Sequence, residues 1–310
     1  MTDTARHPAT WYPARWTAAV RERESAREDR LFDDPWAGLL AGDVGRAAMA
    51  ASERASGARN EFIPIRARWF EDLIVEAASV RDPEFERGGI GPATQAVILG
   101  SGFDTRAFRL PVRPDLAWFE VDDGALLADK VATLARAGAN ARCRRHLVDA
   151  DLRGDWPRAL EAAGFAPDAA TLWVAEGLLF YLAPDVVASL LAGARRLSGP
   201  GSAFAADASG TGLLRAPGMA RYLESLAARG APMPFASDDP ASLLHAGGWS
   251  DVTIAEPGLL ARRYGRPLSK SVGAGDGPGG EPAAPDPTMR SYFFVGRVGE
   301  DVPDGAPASR

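Results

Sequence analysis

The chain has 310 residues, 46% of them hydrophobic and 25% charged, which suits one large α/β domain or two small ones and excludes global disorder. A formal net charge of −6 weighs against nucleic acid as a partner, because that needs a basic stripe, and the arginines at 142, 144 and 145 have acidic residues close behind them. A single cysteine, Cys143, excludes an internal disulfide and a Cys-rich zinc site, and no His or Asn stands in a recognisable relation to it as in a thiol nucleophile.

Residues 1–15 are polar and contain prolines, unlike a signal peptide, and no apolar run reaches the ~20 residues that span a bilayer. The expected compartment is the cytoplasm, with no membrane partner. Residues 17–30 alternate Arg and Glu with few apolar positions, which predicts an exposed or ligand-facing helix. Phe32-Asp33-Asp34-Pro35-Trp36 breaks it, and Pro35 with an Asp cap can open the next helix. Ile65, Trp69, Leu73 and Ile74 recur at helical spacing within 63–78, with Arg66 and Arg68 beside that stripe. Pro83 and Gly88-Gly89 then punctuate the chain.

From Thr94 the texture changes. Residues 95–99, 117–122, 145–149, 170–176 and 202–207 read as strands, the third weaker than the others. Helical segments at 124–137, 156–163 and 183–197 separate them, so strand and helix alternate as in a doubly wound parallel sheet. Residues 213–229 and 240–246 are helical, and 252–255 and 291–298 are further strands. The Gly- and Pro-dense stretch 266–287 reads as a long mobile loop and the tail from Glu300 as frayed.

Open α/β sheets bind ligands at the carboxyl edge of their strands. The first strand ends there in Gly100-Ser101-Gly102, where glycine permits a tight turn and close backbone approach. Thr105 stands where a dinucleotide fingerprint has its third glycine, which argues against a nicotinamide-dependent oxidoreductase. The second strand offers Glu120 and Asp122. A carboxylate here suits the two hydroxyls of a ribose, and Asp122 lies nearer the strand end; a helix N-cap is the competing role. Asp149 and Asp151 follow the third strand and could accept an adenine amino group, or simply cap or turn. Glu176 closes an apolar strand, so a partly desolvated carboxylate there calls for a partner such as a cationic cofactor.

Together, Leu99-Gly100-Ser101-Gly102-Phe103-Asp104-Thr105-Arg106, Phe119-Glu120-Val121-Asp122, Asp151-Leu152 and Ala175-Glu176-Gly177-Leu178-Leu179-Phe180-Tyr181 resemble the leucine carboxyl methyltransferase family. Residues 27–35 and 66–72 look like its bacterial, polyketide-type O-methyltransferase branch, and the resemblance covers 17 to about 207. It implies a Rossmann-like class I methyltransferase: a mostly parallel seven-stranded sheet with helices on both faces. It divides the chain into a helical cap (1–88), a cofactor-binding core (89–207), a lid insertion (208–248) and C-terminal strands (249–298). The implied cofactor is S-adenosyl-L-methionine, with Arg66 on its carboxylate, Gly100, Gly102 and Asp104 along the turn, Asp122 on the ribose, Asp151 and Leu152 at the adenine, and Glu176 at the methionine end. Arg23 matches a basic residue near the active site of eukaryotic members, and Tyr181 could border the acceptor; these are the catalytic candidates, and no metal is expected.

A carboxylate acceptor is ionised at pH 7, whereas a phenol, pKa about 10, usually needs a base. His7, His146 and His245 form no base motif, which favours carboxyl over phenol or hydroxyl methylation. The acceptor is expected to be a small natural-product acid rather than a protein terminus, on a monomer or homodimer. Met219, Tyr222, Leu223, Met233 and Phe235 are candidates for its pocket or for the core of the lid. A non-catalytic cofactor-binding protein is the remaining alternative.

Overall fold

Apolar runs that alternate with amphipathic helices build a single seven-stranded sheet in the computed structural model, which describes residues 11–78, 92–266, 268 and 286–299. Three helices come first: α1 (Trp11–Ser25), α2 (Ala37–Ser56) and α3 (Phe62–Ala78). The core then runs β1 (Gln95–Leu99), α4 (Arg106–Arg109), β2 (Ala117–Asp122), α5 (Gly124–Arg136), β3 (Arg144–Asp149), α6 (Trp156–Ala162), β4 (Thr171–Ala175), α7 (Pro184–Arg196) and β5 (Ala203–Ser209). It is followed by α8 (Thr211–Arg215), α9 (Ala220–Ala228), α10 (Pro240–Ala246), β6 (Ser250–Ala255), α11 (Pro257–Arg263) and β7 (Ser291–Arg297).

The strand order is β3-β2-β1-β4-β5-β7-β6, parallel from β3 through β5, with β7 antiparallel to both of its neighbours. Every residue of β1 and β4 is buried, as strands covered on both faces must be. Alternate side chains feed two cores. Ala96 and Ile98 join one with Ile65 and Trp69 of α3 and Leu126 of α5, while Val97 and Leu99 join the other with Trp156 of α6, Val187 of α7 and Leu244 of α10. The expected Rossmann-like sheet with helices on both faces is therefore present. β3 reads weakly in the sequence because it is an edge strand, with Val148 its one fully buried residue.

Two expectations change. α1 begins at Trp11, six residues before the predicted start at Thr17, because Trp11 packs edge-on against Phe103 at 6.4 Å and Ala18, Ala19 and Val20 are buried. The 208–248 segment is not one lid: α8 and α9 stand over the sheet edge, but α10 is a core helix, and Trp249 just after it donates from Nε1 to the Leu191 carbonyl of α7 at 3.1 Å. The predicted loop 266–287 falls largely outside the described residues; its first residue, Arg266, is buried and paired with Glu24 at 2.9 Å and with Asp29.

Candidate cofactor and acceptor site

Register alone brings the chemistry together. Leu99 pairs with Val121 and Asp122 with Asp149, while Ile98 pairs with Val174 and Ala175 with Ala206. One residue further on, parallel strands align Gly100, Asp122 and Asp149 on one side of the switch point and Glu176 and Asp207 on the other. A cavity of about 1440 Å³ opens at this edge, between the strand ends and the roof made by α1, α3, α8 and α9. That exceeds the ~300–1,000 Å³ usual for one small-molecule site, so a cofactor and an acceptor fit side by side.

The turn after β1 has Gly100 at φ +62°, and a Cβ there would come within 2.7 Å of the Leu178 side chain. Only glycine satisfies both constraints. Asp122 accepts the Gly102 amide hydrogen at 2.6 Å and the Asp123 amide hydrogen at 2.7 Å. Burial raises its pKa, and the two amides offset this only in part. The capping role falls to its neighbour: Asp123 accepts from the Leu126 amide at 3.0 Å and starts α5. Asp149 accepts from the Gly124 amide at 2.9 Å. A Cβ on Gly124 would lie 2.3 Å from that same carboxylate, so the helix start and the third strand end meet only through glycine.

Glu120, the other carboxylate of β2, is fully buried between Lys130 at 2.9 Å and Arg145 at 2.5 Å, on the structural side of the strand. Asp151 and Leu152 line the cavity; Asp151 is exposed, and hydrogen bonds from Arg153, 2.8 Å away, hold its pKa below the usual carboxylate range.

On the far side of the turn lies a buried charge cluster. Glu176 accepts from Arg66 Nε at 3.0 Å and pairs with Arg106 Nη2 at 2.6 Å. Arg66 Nη1 donates to Asp207 at 3.2 Å, and Asp207 also accepts the Gly177 amide hydrogen at 2.6 Å. Asp104 accepts from the Arg106 backbone amide at 2.7 Å and side chain at 3.1 Å, so its role is to seat Arg106. Burial disfavours every one of these charges, but for Glu176 the two arginines outweigh it and hold the carboxylate below its ordinary pKa. For Asp207 burial prevails over Arg66 and the Gly177 amide, raising its pKa to about 6.

Two donors in this region are left over. Ser101 Oγ is buried without a partner, and Arg66 Nη2 has no protein acceptor among the described residues. Together with the strand-end carboxylates they fit a ligand that carries both an acidic and a cationic group, as the amino-acid end of S-adenosyl-L-methionine does.

Of the two catalytic candidates, Tyr181 lines the cavity, and burial, with Tyr222 nearby, raises its pKa. Arg23 does not line it: the guanidinium is held by Glu53 and by the Asn60 carbonyl at 2.7 Å. Arg21, one half-turn away, faces the cavity instead and donates to the Phe103 carbonyl at 2.6 Å. Met219, Tyr222 and Met233 line the cavity, whereas Phe235 belongs to the core and Leu223 lies off the cavity wall.

Sequence reasoning missed Arg106 and Asp207. Arg106 stands in the quoted Asp104-Thr105-Arg106 run, and Asp207 ends a predicted strand as Asp122 and Glu176 do, so each carried a usable signal. His146 stacks on Phe119 at 4.7 Å and His245 is exposed on α10, so neither lines the cavity. Burial pushes the Cys143 thiol up to about 11, away from a reactive thiolate.

The family model described as leucine carboxyl methyltransferase matches residues 14–194. A Frankia alni protein, named a candidate S-adenosyl-L-methionine-dependent methyltransferase, is 38% identical over 277 residues, covering 86% of this chain and 93% of that protein. A similarly named Streptomyces avermitilis protein is 35% identical over 286 residues, covering 87% and 93%. A third, from Saccharopolyspora erythraea, is 40% identical over 200 residues, but the match spans only 61% of this chain and 64% of the relative. Among solved structures, a candidate methyltransferase from Thermobifida fusca superposes with a TM-score of 0.57 at 18% identity, covering 92% and 93%, which is a likeness of fold.

Proposed function

The chain belongs to the leucine carboxyl methyltransferase family and is an S-adenosyl-L-methionine-dependent methyltransferase, and from that premise we propose that it esterifies a carboxylate on a small natural-product acceptor. The observation that carries this reading is the protonation chemistry of the cavity wall. No histidine lines it among the described residues, and of its three phenols, Tyr12, Tyr181 and Tyr222, the last two have raised pKa values. At neutral pH they donate hydrogen bonds and do not abstract protons. A carboxylate acceptor, already ionised at pH 7, needs only such donors, whereas a phenol of pKa about 10 needs a base.

S-adenosyl-L-methionine, when bound, supplies a methyl group on a positively charged sulfur. Arg66, whose Nη2 has no acceptor among the described residues, would take its carboxylate, Asp122 its ribose, Asp151 and Leu152 its adenine, and Glu176 its ammonium. Tyr181 and Tyr222 would orient the acceptor carboxylate by donation, and the surrounding apolar walls would strip its water and raise its nucleophilicity. Asp207 holds Arg66 and the Gly177 amide in place from behind. Arg23 would then act through the α1–α2 packing, not on the acceptor.

The test is to incubate the protein with methyl-labelled cofactor and a small-molecule extract of the host cell. Label that mild base releases as methanol supports an ester; label that survives base, as in an ether, overturns the reading.

A further inference from the structure

The acceptor half of the cavity is bounded by α1 and α9. Tyr12 and Trp16, four apart on α1, each meet α9 or its end: the Arg229 guanidinium lies 4.2 Å over the Tyr12 ring, and the Trp16 and Tyr222 rings are 6.4 Å apart. Arg221 and Ser225 on α9 and Arg229 just past its end follow one another at intervals of four, fall on one face, and all line the cavity. Glu224 is off that face.

Arg221 and Arg229, both exposed, have no acidic partner among the described residues. Neither makes an ion pair or side-chain hydrogen bond among the described residues, and Arg229 has only the Tyr12 ring. Of the acids on this side, Glu53 pairs with Arg23 and Glu256 with Arg290 at 3.0 Å, while Glu61 lies 3.6 Å from Arg27 and its second oxygen is buried without a hydrogen-bond partner among the described residues. The remaining acids line the sheet edge, where Arg21, Arg66, Arg106 and Arg153 pair with acidic partners, whereas Arg221 and Arg229 have none among the described residues. A cation after the last turn of a helix is favoured by the helix dipole, which would account for Arg229 by itself. It does not account for Arg221, which sits in the first turn, where the dipole disfavours a cation. A guanidinium over a ring face, as that of Arg229 is over Tyr12, keeps N–H groups available for an oxyanion.

We propose that the acceptor is a dianion with an apolar, ring-sized body: it carries, besides the atom that is methylated, a second anionic group bound by Arg221 and Arg229. This rests on the reading of the cavity as a methyl-transfer site and adds the substrate class. The second anion would set which molecules are accepted, while the sheet edge sets the donor.

Fluorescence titration of the full chain, saturated with S-adenosylhomocysteine, tests this with two probes of one shape. Anilinonaphthalene sulfonate carries an anion on an aromatic body; phenylnaphthylamine is its uncharged counterpart. The sulfonate should bind at one site, and the Arg221→Gln/Arg229→Gln double variant should weaken it by about tenfold or more without changing the neutral probe. Absence of sulfonate binding, or equal affinity in the variant, overturns the proposal. Calorimetry with S-adenosylhomocysteine on the same two proteins reports the donor site separately. Unchanged affinity there confirms that the variant is folded, and no binding to either protein would instead count against the methyl-transfer reading.

Discussion

Asp122 and Asp123 are neighbours in the chain and serve different elements: Asp122 accepts the Gly102 amide of the turn at 2.6 Å, and Asp123 accepts the Leu126 amide that opens α5. On the proposed assignment of Asp122 to the ribose, the pair separates ligand binding from helix stability. Asp122→Ala should weaken S-adenosylhomocysteine binding by at least about tenfold, because the ribose loses a two-oxygen acceptor and the turn loses its anchor. Asp123→Ala should cost about 1 kcal/mol of stability, as lost caps do, and leave affinity unchanged. Calorimetry and urea unfolding on both variants distinguish the two; similar affinity losses would refute the division.

Arg106 is the shared centre of the charge cluster, between Asp104 and Glu176 and beside Glu71 at 3.7 Å. Replacing it with Met takes the arginine partner from buried Asp104 and leaves Glu176 with Arg66 and Glu71 with Arg109 only. A loss of about 3–5 kcal/mol is expected, as when one partner of a buried ion pair is removed. Arg106→Lys, which retains charge but not the fork, should recover part of the stability. Equal unfolding midpoints for the native protein and Arg106→Met would contradict the assignment.

Glu120 offers the reverse case. It has the residue type of a ribose ligand and sits two positions from the proposed one, Asp122, yet it faces Lys130 and Arg145. Glu120→Gln should destabilise the fold by about 3 kcal/mol or more, since Lys130 would be left buried and charged, and should leave S-adenosylhomocysteine affinity within about twofold in protein that remains folded. Loss of affinity without loss of stability would reverse the roles of Glu120 and Asp122.

The pKa of Asp207, about 6, makes its contribution to stability fall with rising pH. An unfolded aspartate ionises near pH 3.9, so between about pH 4 and pH 6 the folded chain keeps a proton that the unfolded chain has released. Raising the pH through that window should favour the unfolded state, by up to about 1.4 kcal/mol per pH unit, and above it the loss is complete. Asp207→Asn keeps an acceptor for the Gly177 amide and lacks the titration. The stability of the native protein relative to this variant should therefore decline from pH 4 to pH 6, measured by urea unfolding; a constant difference would count against a proton on Asp207.

The cofactor half of the site was legible because parallel strands are read directly: an apolar run ends, and the next residue stands at the edge. That logic reached Gly100, Asp122 and Glu176, and applied evenly it reaches Asp207. The acceptor half was less legible because its side chains come from α1, α3 and α9, whose relative placement is set by packing. Arg21 and Arg23 illustrate this. Both lie in the same charged run, and only the burial of Ala18, Ala19 and Val20 decides that Arg21 faces the cavity while Arg23 turns to Glu53. Arg106 carries a signal as a charge, because an arginine one turn from a carboxylate-lined edge has few other partners.

The placement of β7 bears on the order in which a nascent chain can assemble. It is the last described strand, yet it lies between β5 and β6 and pairs with both. Its Phe293 packs against Phe62, Trp69 and Phe70 of α3, the helix that carries Arg66. On the ribosome, residues 11–209 can emerge with every cofactor motif already made, but α3 lacks part of the surface it rests on until residues 291–297 follow. Synthesis of residues 291–297 thus completes a site whose residues were translated long before.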